Sequence, residues 1–338
     1  MSAAAPLDEL MRARGVIAVD APLAPAQVSD RPWFVALLQG AAGWLAGIFL
    51  LVFLGLVFKP DSGGALFAIG AVLLVAAWFL YHADRDAVFL DQLALAISIA
   101  GQFGVAVSVV KDHPSGLNIA LTALAVQIFV LAVMPNNTAR TLAALFATIA
   151  WVFTVRYLFQ PGSGDEIFFG EDRPDRSMSF GALTPLLCWA LTWLPLLSLA
   201  GWLVLREPQW MASTLRRFAR PALTGVLLGL SFGGIAAEPF SVFILGTGTL
   251  GMPFSWWALF PLLSIGLALA SAYGAFRIRS AGLLGFAVFA ALLHLSRFYY
   301  LYGTTLLWKS VIMLAAGALL LMAGVLLRKR VANAGAAA

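Results

Sequence analysis

Gly229-Leu230-Ser231-Phe232-Gly233 has the Gly-x-Ser-x-Gly spacing that, at a strand-to-helix turn, presents a serine hydroxyl for acyl transfer. A general base would have to reach that serine, and His294 is the histidine that falls well inside an apolar segment. The motif, however, lies in the middle of an apolar run, so the strand that would sharpen the turn is missing. Gly225, Gly229 and Gly233 also recur every fourth residue, with Ala237 continuing the series. That spacing lets two membrane helices approach closely. One packing face accounts for all four small residues, whereas catalysis needs two residues and a contact between them. Helix packing is therefore the expected role; no catalytic residues are assigned, and an intramembrane serine hydrolase is a minor alternative.

Ionisable and amide side chains inside apolar segments are the second source of chemistry, because a charge in hydrocarbon costs about 2.5–3.5 kcal/mol even on lenient scales. Asp91 and Gln92 fall near one end of an apolar segment, and Gln102 and Gln127 fall deeper. Each buried amide calls for an interhelical hydrogen-bond partner. Glu238, His294, Arg297 and Lys309 come at the ends of three later segments and are expected toward one membrane face. They form a candidate functional polar cluster, in which an ion pair of Glu238 with Arg297 or Lys309 would offset part of the burial cost. Between Pro239 and Pro253 the chain is uncharged and apolar yet too short to span, which suggests an interfacial or re-entrant segment.

No metal site is expected. The carboxylates of Asp165, Glu166, Glu171, Asp172 and Asp175 lack the twelve-residue spacing of a calcium loop, and the single cysteine, Cys188, excludes a thiolate cluster within one chain. No cofactor motif is present.

The elements that must position these residues follow from composition. A chain of 338 residues that is 62% hydrophobic and 11% charged has too little polar surface for a soluble domain, which carries about 25% charged residues. Apolar stretches of roughly 20 residues recur, each long enough as a helix to cross about 30 Å of hydrocarbon. The expected fold is all-α: a polytopic transmembrane helical bundle of about ten spans. These are placed at about 35–58, 63–81, 89–110, 117–134, 141–159, 183–205, 221–238, 254–276, 280–298 and 304–327. Residues 1–32 read as an N-terminal segment with a short amphipathic helix around Arg12 and Arg14 and a proline-rich linker. Residues 33–330 read as the transmembrane domain with an external loop at about 160–180, and 331–338 as a disordered tail.

Orientation follows from the Lys and Arg of the short loops. Arg85, Arg140, Arg206, Arg216, Arg217, Arg220, Arg277, Arg279 and the Arg328-Lys329-Arg330 cluster fall on one side; Lys59, Lys111, Arg156, Arg173 and Arg176 fall on the other. Both termini are thus expected in the cytoplasm. The formal charge of +5 is scattered singly and not gathered in a patch, so nucleic acid is not an expected partner.

Three stretches carry a resemblance. They are Tyr299 to Ser310, which includes Gly303-Thr304-Thr305 and Trp308-Lys309; Pro32-Trp33-Phe34-Val35 with Gly43-Trp44-Leu45-Ala46; and Asp91-Gln92-Leu93-Ala94-Leu95-Ala96 with Gly101-Gln102. Together they resemble an uncharacterised bacterial inner-membrane family, the domain of unknown function numbered four-four-zero-one, over most of the chain. Members of that family have no established activity, and the resemblance implies a membrane complex with other envelope proteins. The expected function is a non-enzymatic component of such a complex in the bacterial inner membrane. A secondary transporter of a small solute is the alternative, motivated by the buried glutamines and the external charged cluster.

Overall fold

In hydrocarbon every backbone N–H and C=O must be satisfied within its own segment, so long apolar runs of this kind fold as helices. The computed structural model describes residues 33–59, 62–83, 88–112, 115–159, 183–237 and 259–301, with single helical positions at intervals between 307 and 325. Among the described residues nine helices follow one another without a strand. They are α1 (Trp33–Phe58), α2 (Gly63–Ala83), α3 (Val88–Asp112), α4 (Gly116–Val133), α5 (Asn137–Phe159), α6 (Thr184–Met211), α7 (Arg216–Ala237), α8 (Leu259–Arg277) and α9 (Ala281–Leu301).

The first six helices contain segments long and apolar enough to cross a membrane, and α8 and α9 contribute shorter apolar stretches. Large hydrophobic side chains stand outward, among them Phe49, Phe67, Phe103 and Leu205, each at least half exposed. Water would not tolerate so continuous an apolar exterior, but lipid solvates it. The protein is a multi-pass helical membrane protein.

Close approach of backbones at glycine sets the packing. A Cβ on Gly70 would lie 2.7 Å from the Gly101 carbonyl oxygen, and the reverse substitution meets Gly70 at the same distance, which clamps α2 antiparallel to α3. Gly43 faces Phe89 and Leu93 while Gly47 faces Ala96, so α1 runs parallel to α3. Gly225 rests on Thr141 and Ala144, and Gly229 on Thr148, so α7 runs parallel to α5. Helix α5 joins the two halves of the bundle. Its Ala139 and Ala143 belong to the core shared with Leu73, Leu95 and Val130, and its Val152 belongs to the core around Trp193, Leu223 and Leu267.

Three helix ends differ from those expected from hydropathy. Helix α5 starts four residues earlier than 141, because Asn136 Oδ1 accepts from the backbone N–H groups of Thr138 (2.7 Å) and Ala139 (3.2 Å) and caps a polar first turn. Helix α6 runs on past 205 to Met211, where Arg206 donates to Gln209 at 2.7 Å and Glu207 pairs with Arg220 at 3.1 Å. Helix α7 begins at Arg216 and carries Pro221 within its second turn. Helix α8 closes with Arg279 at φ 56°, its N–H bonded to Phe276 and that of Ser280 to Ala275, the paired arrangement that ends a helix on a left-handed residue.

The N-terminal segment 1–32, the external loop at 160–180, the Pro239–Pro253 stretch and the C-terminal tail lie outside the described residues.

Candidate functional site

A chain of amides crosses the interior of the N-terminal half. Gln102 on α3 donates through Nε2 to Ser98 Oγ, one turn away, at 3.0 Å. Gln127 on α4 donates through Nε2 to Gln102 Oε1 at 2.8 Å. All three residues are buried. Gln127 Oε1 keeps an acceptor lone pair without a hydrogen-bond partner among the described residues.

Beside this chain lies a cavity of about 350 Å³ between α3, α4 and α5, lined by Gln102 and Gln127 together with Phe103, Phe146, Phe153 and Tyr157. Tyr157 can enter because Gly116 has no side chain where the ring packs. A mostly apolar cavity with two amides suits a small neutral solute with one or two hydrogen-bonding groups. Neither amide titrates, and Tyr157 is the lining side chain with an ionisable group.

Asp91 and Gln92 sit at the first turn of α3. Trp44 Nε1 donates to Gln92 Oε1 at 3.0 Å, and a Cβ at Gly40 would lie 3.5 Å from the Gln92 stem. Asn136 Nδ2 points to Asp91 Oδ1 at 3.4 Å, so the residue that caps α5 also ties it to α3. Asp91 and Gln92 therefore fasten α1, α3 and α5 together.

The serine motif and the intramembrane histidine do meet. His294 on α9 is fully buried, and its Nε2 lies 3.0 Å from the backbone carbonyl oxygen of Ser231 on α7. A carbonyl only accepts, so Nε2 carries the proton. The Ser231 hydroxyl points elsewhere, donating to the Leu227 carbonyl at 2.8 Å. In this arrangement the imidazole bonds to the main chain of α7, and the hydroxyl bonds within its own helix. Arg297 lies in α9 one turn after His294. Its side chain, with Glu238 and Lys309, lies outside the described residues, so of the four-residue cluster only His294 has described contacts.

Two functional-looking residues escaped the sequence reading. Arg140 and Arg156, taken as loop charges at the two ends of one span, are each only 3% exposed. Arg140 Nη1 donates to the Arg217 carbonyl oxygen at 3.1 Å, and its guanidinium carbon stands 4.5 Å from the centre of the Phe218 ring. The legible signal was Pro221: without an N–H it leaves the carbonyl four residues earlier, that of Arg217, in need of another donor.

A family model described as domain of unknown function (DUF4401) matches residues 32–259. No curated protein and no solved structure matches the chain.

Proposed function

The chain belongs to the DUF4401 family, whose model covers more than half of it, and from that premise we propose a non-enzymatic component of a small envelope membrane complex. In this reading the protein has ten spans, lies in the bacterial inner membrane and keeps both termini in the cytoplasm. The observation that supports it is a set of small residues on α8 and α9 that stand outward with nothing packed on them among the described residues. Gly266, Gly282 and Gly285 have nothing within 4 Å of where a Cβ would stand, and Ala270 is exposed beside them. Within the described residues the Gly266 and Ala270 positions are thus not used for packing, unlike Gly274, which meets Leu227. Lipid chains gain nothing from an absent side chain, whereas a second helix does.

The reading is tested by purifying the tagged protein from its native membrane in mild detergent and identifying what accompanies it. Partners recovered in fixed ratio, and lost from Gly285→Leu without loss of the protein itself, support it. Recovery of this chain alone, in wild type and variant alike, rejects it.

A second reading, a secondary transporter, is favoured by the 350 Å³ cavity beside Gln102 and Gln127. It requires that some neutral solute raise the thermal midpoint of the wild type and fail to do so in Gln127→Leu. A broad solute panel without any such shift counts against it.

A further inference from the structure

The two halves of the bundle leave a gap between α4, α5, α6 and α7. It is an apolar groove of about 730 Å³, lined by Ala144 and Ala147 on α5, by Leu199, Trp202 and Trp210 on α6, and by Phe218 on α7. Trp210 and Phe218 flank the α6–α7 turn, so the groove ends where the helices leave the hydrocarbon.

Against the ring of that same Phe218 lie two guanidinium groups, Arg140 at 4.5 Å and Arg217 at 4.8 Å from its centre. Arg140 is buried, and its Nε has no hydrogen-bond partner among the described residues. The neighbouring acid, Glu207, is engaged by Arg220 at 3.1 Å. No described carboxylate pairs with Arg140 or Arg217. Two like charges held against one ring at the border of a low-dielectric region repel each other, and an anion between or beside them offsets that repulsion. Basic pockets between transmembrane helices hold the phosphate headgroups of anionic lipids.

We infer that this groove, with the Arg140 and Arg217 pair at its end, binds an anionic phospholipid. An acyl chain lies along the small residues of α5 and the aliphatic and indole side chains of α6. The phosphate pairs with the exposed Arg217, and Arg140 supplies a second positive charge from within the bundle. Trp210 sits at the level where indoles favour the headgroup region. The inference stands on the groove and its charges and is independent of membership in a complex.

The test uses the full-length chain in a neutral detergent, with thermal unfolding followed on addition of phosphatidylglycerol, of phosphatidylcholine with the same acyl chains, or of glycerol 3-phosphate. Phosphatidylglycerol is expected to raise the midpoint saturably, phosphatidylcholine to do so less, and glycerol 3-phosphate not at all at equal concentration. Arg217→Gln, at an exposed position, is expected to weaken the apparent affinity for phosphatidylglycerol about fivefold. Ala147→Phe fills the groove and is expected to abolish the lipid response. Equal stabilisation by both lipids with no effect of Arg217→Gln overturns the inference. A full response to glycerol 3-phosphate alone does so as well, because the groove would then be unnecessary. So does a protein partner that co-purifies with the wild type and is lost from Ala147→Phe.

Discussion

Arg140 Nη1 donates to the Arg217 carbonyl at 3.1 Å, across from a helix position where Pro221 has removed the usual main-chain donor. A proline in the second turn of α7 and a buried arginine on α5 thus complete one another. The proline exposes an acceptor and the arginine answers it, which holds the two parallel helices in register beside the Gly225 contact.

Arg140→Met strands that carbonyl, and hydrogen bonds to charged groups contribute about 1.5–3 kcal/mol. Pro221→Ala restores a helical N–H to the same oxygen. A double-mutant cycle by thermal unfolding is therefore expected to show coupling, with Arg140→Met costing about 1 kcal/mol less in the Pro221→Ala background. Strict additivity would mean that the arginine acts through its charge alone.

Gln102→Leu leaves Gln127 Nε2 without its acceptor, and interhelical hydrogen bonds in membranes are worth about 0.6–2 kcal/mol. The single variant is expected to lose that much stability. Gln102→Leu with Gln127→Leu is expected to recover most of it, since removing both partners leaves neither amide unsatisfied. If the double variant is as unstable as the single one, packing around the 350 Å³ cavity matters more than the amides.

Gly225→Leu and Gly285→Leu give opposite outcomes although both lie in apolar helices. A side chain at Gly225 meets the Thr141 carbonyl and the Ala144 methyl, neither of which can withdraw. Overpacking of this kind costs about 1–3 kcal/mol or more. At Gly285 nothing stands within 4 Å, so the fold is expected to change by no more than about 0.5 kcal/mol. Detergent-resistant folding by size exclusion separates the two.

Cys188 is the single cysteine and is buried, so the wild type should give little background with a membrane-impermeant maleimide. Cysteines introduced at the exposed Ser62 and Ser213 report the two ends of the bundle. With the proposed orientation, Ser62→Cys labels in intact cells and Ser213→Cys labels only after the membrane is opened. The reverse pattern would invert the topology.

Ser231→Ala is expected to keep both fold and cellular function. The hydroxyl bonds within its own helix, and His294 is held by the Ser231 main chain, which the substitution preserves. Loss of a cellular phenotype at unchanged protein level would restore the serine-hydrolase alternative.

Much of the helical framework was legible because a hydrocarbon solvent must be matched residue by residue along each segment. The turns at 134–136 and 212–215 follow the polar breaks between apolar runs. Helix ends were less legible where polar residues continue a helix past the apolar stretch, as Asn137 and Thr138 do in α5 and Arg206 and Glu207 do in α6. Hydropathy stops at the last greasy residue, but a capping Asn136 or a Glu207–Arg220 pair carries the helix on. Gln102 and Gln127 stood out by their depth in apolar segments, yet nothing along the chain indicated that they bond to each other.

The sequence by itself determined that the bilayer is the solvent, that the chain is helical, and which residues are too polar to leave unattended there. The tertiary structure decided which way each of them faces. Helices apolar on every side give no preferred direction of rotation about their own axes, so the choice between lipid and protein falls to contacts between helices. Gly225 and Gly266 look alike along the chain, but one is filled by α5 and the other faces outward. Arg140 and Arg217 look like two surface charges of neighbouring loops, and only the parallel packing of α5 and α7 brings both against Phe218 at the end of a groove.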